Sequence, residues 1–167
     1  IIAPSHGPIY DDPDFILDAY KEWVSDTAES EVVVPYVSMH GSTDEMVEHF
    51  VNYLVSKGMK VKPFNLTTTD LGELAMALVD SATVVIGTPT VLVGPHPKAV
   101  YATYLANALR PKMKFASIIG SYGWGGRMPD MIKDQLSNFN GEFIDPVIVK
   151  GHPTDEDMED IEALAGE

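Results

Sequence analysis

VVVPYVSMHGSTDEMVEHFVNYLVSKGMKVKPF, residues 32–64, is the stretch on which the fold turns. It opens with the β-rich run Val32–Val37, which predicts a buried first strand. Met46, Val47, Phe50, Tyr53 and Leu54 then recur at 3.6-residue spacing, predicting a helix over Thr43–Lys57. Met59–Phe64 returns to strand composition. A strand, a crossover helix and a second strand make the unit from which parallel sheets are built.

The same alternation continues outward. After the polar TTTD comes a short helix, Leu71–Asp80, and then a buried strand, Thr83–Ile86. Pro97–Leu109 reads as a helix with proline in its first turn. Lys114–Ile119 is the fourth strand, Pro129–Phe139 a helix and Phe143–Val149 a fifth strand interrupted by Pro146. Proline inside that run predicts an edge position or a bulge. An acidic helix, Asp155–Ala165, completes five βα units. The expected fold class is therefore α/β, a flavodoxin-like three-layer sandwich around a five-stranded parallel sheet of order 2-1-3-4-5. In such sheets ligands sit outside the carboxyl ends of the strands.

Charge is unevenly spread along the 167 residues, which carry a net charge of −14. Residues 1–31 hold eight acids against Lys21, and residues 155–167 hold seven acids with no base. The middle of the chain is balanced, with ten of each sign. No basic stripe exists to neutralise a nucleic-acid backbone, so duplex binding is disfavoured. The chain has no Cys, which excludes disulfides, thiolate nucleophiles, iron–sulfur clusters and Cys-based zinc sites. Its apolar runs are broken well short of the roughly 20 residues that span a bilayer. The opening segment IIAPSHGPIY carries no signal-peptide pattern, and a cytoplasmic fragment of a longer chain is expected.

Three loops follow the first, third and fourth strands. The first runs from Ser38 through Met39, His40, Gly41 and Ser42 to Thr43. Ser42 followed by Glu45 reads as a capping box, placing a helix start there. A helix start offers free N–H groups and the positive end of the dipole, a ready phosphate site. No lysine follows Gly41, so this is not a nucleoside-triphosphate loop. The second loop runs from Thr88, Pro89 and Thr90 through Val91, Leu92, Val93 and Gly94 to Pro97, long for a βα connection. Its apolar tip suits one face of a flat ring, and Gly94 is expected at positive φ beside a ligand. The Val93–Gly94 peptide is the one expected to turn its carbonyl toward a reduced ring. His96, between two prolines, reads as a turn or packing residue. The third loop, Ser121, Tyr122, Gly123, Trp124, Gly125, Gly126 and Arg127, places two aromatics on a glycine-rich backbone. Trp124 there is better explained by stacking on a planar ligand than by core packing. A phosphate nest, an apolar wall and an aromatic platform describe a site for FMN.

Those same stretches carry a family resemblance. YVSMHGSTDEMV at 36–47, DLGELAMALVDSATVVIGTPT at 70–90 and SIIGSYGWGG at 117–126 resemble the C-terminal flavodoxin-like domain of flavodiiron proteins, also called A-type flavoproteins. SHGPIY at 5–10, followed by Tyr20 and Trp23, is similar to the segment that closes the di-iron domain in that family. The resemblance implies FMN held by Ser38–Thr43, Thr88–Gly94 and Ser121–Gly126. It implies a missing di-iron domain that reduces dioxygen or nitric oxide, fed by a rubredoxin-like or deazaflavin electron donor. It further implies a head-to-tail homodimer, with residues 1–31 as remnant and linker helix and 32–167 as the FMN-binding domain. His6 matches a family iron ligand, relevant only in the full-length protein. Two departures stand out. Val91 occupies a position that often carries an aromatic, and His40, His49, His96 and His152 do not supply the remaining metal ligands.

No side chain need act as nucleophile or base, so no catalytic residue is assigned and the chemistry belongs to the cofactor. A quinone or flavin reductase of the same fold and a flavin-free interaction module are the alternatives. A phosphoryl-receiver domain is rejected, because Tyr36–Met39 offers no carboxylate at the end of the first strand.

Overall fold

A computed structural model describes residues 1–109 and 112–167. The central sheet has the expected order. Strands β1 (Glu29–Tyr36), β2 (Lys60–Asn65), β3 (Ser81–Val91) and β5 (Phe115–Tyr122) lie parallel as β2-β1-β3-β5. The fifth position is shared by two short pieces, β6 (Glu142–Phe143) and β7 (Val147–Lys150), both parallel to β5. Pro146 sits in the gap between them, as expected of a residue that cannot donate to the ladder. Strand β4 (Gly94–Pro95) is an antiparallel return on the end of β3.

Alternation along the strands divides the core. Val33, Val84, Ile86 and Ile118 point to one face, under helices α3 (Leu71–Asp80), α4 (Pro97–Leu109) and α5 (Met128–Gln135). Val32, Val34, Val85 and Ile119 point to the other, under α2 (Ser42–Ser56) and α6 (Asp155–Gly166). A strand buried on both sides needs β-branched residues at every position, and Val32–Val34 supplies them. Met46, Val47, Phe50 and Leu54 form the buried stripe of α2, the periodicity read from the sequence.

Several boundaries move. Strand β1 starts at Glu29, inside the stretch expected as linker, because Glu31 is buried and ion-paired with Lys62 at 2.9 Å. Helix α5 stops at Gln135 rather than Phe139, and strand β3 runs to Val91 rather than Ile86. Ahead of the sheet, α1 (Pro13–Trp23) is capped by Asp12 and buries only Ile16. Lys112 Nζ ties it down, donating to Glu22 O at 2.8 Å while pairing with Asp80 of α3 at 2.9 Å.

Candidate functional site

At the carboxyl ends of β1, β3 and β5 lies a cavity of about 480 Å³. From the first loop it takes Ser38, Met39, His40, Ser42 and Thr43; from the second, Pro89, Thr90, Val91 and Leu92; from the third, Ser121, Tyr122, Gly123, Trp124 and Gly125. Gly151 also lines it. Among the described residues no Asp, Glu, Lys or Arg contributes to the wall, so an anion there would meet neutral donors and a helix dipole only.

The first-loop end of the cavity is shaped by Gly41. Its φ of +93° is costly for any other residue, and it turns the chain into α2 as the N-cap. The Gly41 N–H donates to Ser38 Oγ at 3.1 Å and its carbonyl accepts from the Glu45 N–H at 2.9 Å. The expected capping box of Ser42 with Glu45 does not form, and no side chain caps this helix. Because Gly41 takes the cap position, Ser42 lies one step inside the helix and its hydroxyl cannot serve as the cap. The first N–H groups of α2 are thus left open beside the cavity. Thr43, fully buried, links this loop to the third one through a 3.3 Å hydrogen bond between its hydroxyl and that of Ser121.

The second loop is a hairpin rather than an irregular loop. Thr90 pairs with Pro95 and Val91 with Gly94, leaving Leu92 and Val93 as the tip. The positive φ falls on Leu92, at +58°, and not on Gly94 as expected. Gly94 is buried for a steric reason: a Cβ there would lie 3.0 Å from Met131 Sδ. Gly94 and Val93 do not line the cavity, and the turning peptide expected at Val93–Gly94 has its strained neighbour at Leu92. Thr88 does not line it either. Its hydroxyl donates to Pro89 O at 3.0 Å and accepts from the His96 N–H at 3.1 Å, pinning the hairpin base. His96 Nδ1 accepts from the Lys98 N–H at 3.1 Å at the start of α4. Burial, and then the nearby Lys98 charge, hold the His96 pKa below its ordinary value, which suits an acceptor ring.

The third loop docks on that hairpin. Arg127 N–H donates to Val93 O at 2.7 Å, and a Cβ on Gly126 would lie 2.8 Å from Thr90 Cγ2. Gly126 is therefore a packing glycine outside the cavity wall. Trp124 is 88% exposed and Leu92 80% exposed, two large apolar groups presented at one cavity with nothing covering them. What sets them apart from most of the chain's other exposed apolar side chains is that both line one cavity, as an apolar ring would require.

Gly151 was missed in the sequence. The signal was there, since Gly-His-Pro at 151–153 is a turn directly after the fifth strand, at the same sheet edge as the other loops. His6 is exposed on the turn between Ile2 and Tyr10, which bridge to each other. A larger cavity of about 810 Å³ borders β6, β7 and α6, but Glu142, Asp145, Asp157 and Asp160 line it. Carboxylates in that number would repel a phosphate, whereas none lines the smaller cavity among the described residues.

Comparison with known proteins agrees with this geometry. The flavodoxin family model matches residues 34–163. A nitric oxide reductase of Moorella thermoacetica is 33% identical over 144 residues, which is 86% of this chain and 36% of that protein. The structure of rubredoxin oxygen:oxidoreductase from Desulfovibrio gigas superposes with a TM-score of 0.86 at 26% identity, covering 92% of this chain and 38% of that one. The flavodiiron core of Flv1 from Synechocystis shares the fold, with a TM-score of 0.73 at 24% identity over 97% of this chain and 41% of its own. The chain thus spans little more than a third of the length of these relatives. It belongs to the flavodoxin family, as its flavodiiron-type domain, and its cofactor is FMN.

Proposed function

We propose that this chain is the electron-carrying domain of a larger cytoplasmic oxidoreductase, with the flavin phosphate at Ser38–Thr43 and the ring between the Leu92 hairpin and the Trp124 loop. The observation that carries the reading is the uncapped start of α2 opening on the same cavity as those two exposed apolar side chains. When bound, FMN supplies one- and two-electron chemistry at the ring. Ser38, Ser42 and Thr43 and the α2 N–H groups bind the phosphate, while Val91, Leu92, Tyr122 and Trp124 orient the ring and exclude water from one side. Residues 1–28 are the remnant of a preceding domain with its linker helix α1, and lead into β1 at Glu29.

In the whole protein the electrons pass to a di-iron centre that reduces dioxygen or nitric oxide. A rubredoxin-like protein or a reduced deazaflavin coenzyme delivers them, and a second subunit completes the assembly. His6 would act as a metal ligand only in that full-length context.

The test is reconstitution followed by extraction. The purified chain is expected to bind one FMN and to show flavin absorbance, with the released cofactor identified by mass. Recovery of FAD, or no flavin uptake, would overturn the reading. Metal analysis of the same sample is expected to find no stoichiometric iron, because a two-iron site needs several converging His and carboxylate ligands. Two irons per chain would mean that a complete metalloenzyme has been read as one domain.

A further inference from the structure

Helix α2 carries two acids in its first turn, Asp44 and Glu45, one turn from the phosphate cradle. A carboxylate there is drawn to the same N–H groups that a phosphate would use. Glu45 is the sharper case: with Gly41 as the cap the Ser42–Glu45 capping box is out of register, yet a side chain at Glu45 can still reach back toward the first turn. That box is absent, and Glu45 Oε2 instead lies 3.2 Å from His152 Nε2.

His152 is held in place by the cavity wall itself. Its neighbour Gly151 lines the cavity at φ +81°, and the Gly151 N–H donates to Tyr122 O at 2.8 Å. The turn that presents His152 is therefore tied to the end of β5. The two side chains are 69% and 49% exposed, and ion pairs so exposed contribute little to folding stability. What distinguishes the pair is where it takes the Glu45 carboxylate.

We infer that His152 is a positioning residue for the cofactor: by pairing with Glu45 it keeps that carboxylate away from the mouth of α2, leaving the Ser42 and Thr43 N–H groups open to an anionic phosphate. This rests on the flavin reading above. The pair thus draws the Glu45 carboxylate toward the fifth-strand turn, which becomes part of phosphate selection.

FMN and riboflavin, which lacks the phosphate, separate the contributions. Titration of the apoprotein with each, followed by quenching of flavin fluorescence, gives two dissociation constants per variant. His152→Ala is expected to weaken FMN about fivefold, a change of about 1 kcal/mol, the upper worth of an exposed ion pair. Riboflavin, which also reports that the variant is folded, is expected to change less than about twofold, well below that step. Adding Glu45→Ala to His152→Ala is expected to restore FMN binding. Equal losses for both flavins, an unchanged FMN constant in His152→Ala, or no rescue in the double variant would overturn the inference. A wild-type chain that takes up neither flavin removes the flavin reading itself, and this inference with it.

Discussion

Helices α2 and α6 begin with the same local pattern, a hydroxyl residue followed three places later by an acid. Thr154 and Asp157 form the full capping box at α6, with the Asp157 N–H donating to Thr154 Oγ1 at 3.4 Å and the Thr154 N–H donating to Asp157 Oδ2 at 2.8 Å. Ser42 and Glu45 form none of it at α2. The acidic α6 start satisfies its own donors and borders a cavity rimmed by carboxylates. The α2 start leaves its donors open on a cavity free of them. One local pattern is therefore closed by its own side chains in one place and left open in the other. The difference lies in Gly41, which takes the cap position at α2, and in His152, which takes the acid.

That contrast can be broken deliberately, and the largest effect is expected at α2. Ser42→Asp places a fixed carboxylate at the open donors. It should weaken FMN by more than about a hundredfold, since a lost charge-assisted contact and a new repulsion each cost about 1.5–3 kcal/mol. Riboflavin binding should persist, and equal loss of both would show that the phosphate lies elsewhere. Trp124→Ala tests the opposite end of the same cavity. Stacking on an aromatic is worth about 1–3 kcal/mol, so FMN and riboflavin should weaken together, by about tenfold. Selective loss of FMN alone would remove Trp124 from the ring wall.

At α6 the readout changes from binding to stability. Thr154→Ala should lower unfolding stability by about 1 kcal/mol, the usual worth of an N-cap, without changing either flavin constant. Ser42→Ala, compared in the same denaturant titration, should leave stability nearly unchanged, because no side chain caps α2. A loss at Ser42 as large as that at Thr154 would collapse the distinction. The smallest effect is in acid. Hydrogen bonds from the Thr154 side chain, and then from its backbone, hold the Asp157 pKa below its ordinary 3.8. A depressed carboxylate contributes stability above its unfolded pKa and loses it as pH falls through the folded one. Asp157→Asn should therefore flatten the acid limb of the stability–pH curve below about pH 4, where the wild-type carboxyl titrates. An identical acid limb in the variant would mean that the box does not respond to pH.

The parallel sheet was legible in the sequence because strand and helix periods are local, and burial on both faces demands runs such as Val32–Val34. The break at Pro146 was legible for the same reason, since a missing N–H is a property of one residue. The sequence also marked the three loops, and FMN as the ligand they suit, through glycines, hydroxyls and aromatics at the carboxyl edge. It did not reveal that the second loop closes as a hairpin, because Leu92-Val93 carries none of the usual turn residues and the pairing of Thr90 with Pro95 is held from outside by Arg127. Nor could it separate wall residues from packing residues. Thr88, Gly94 and Gly126 look like ligand contacts in a linear reading, yet each is occupied by another residue: His96 of the same loop, and Met131 and Thr90 from other segments. The capping box at Ser42 failed because Gly41 takes the cap position one residue earlier. A local pattern states which hydrogen bonds the chain can make by itself, whereas in the fold Glu45 pairs with His152, more than a hundred residues away.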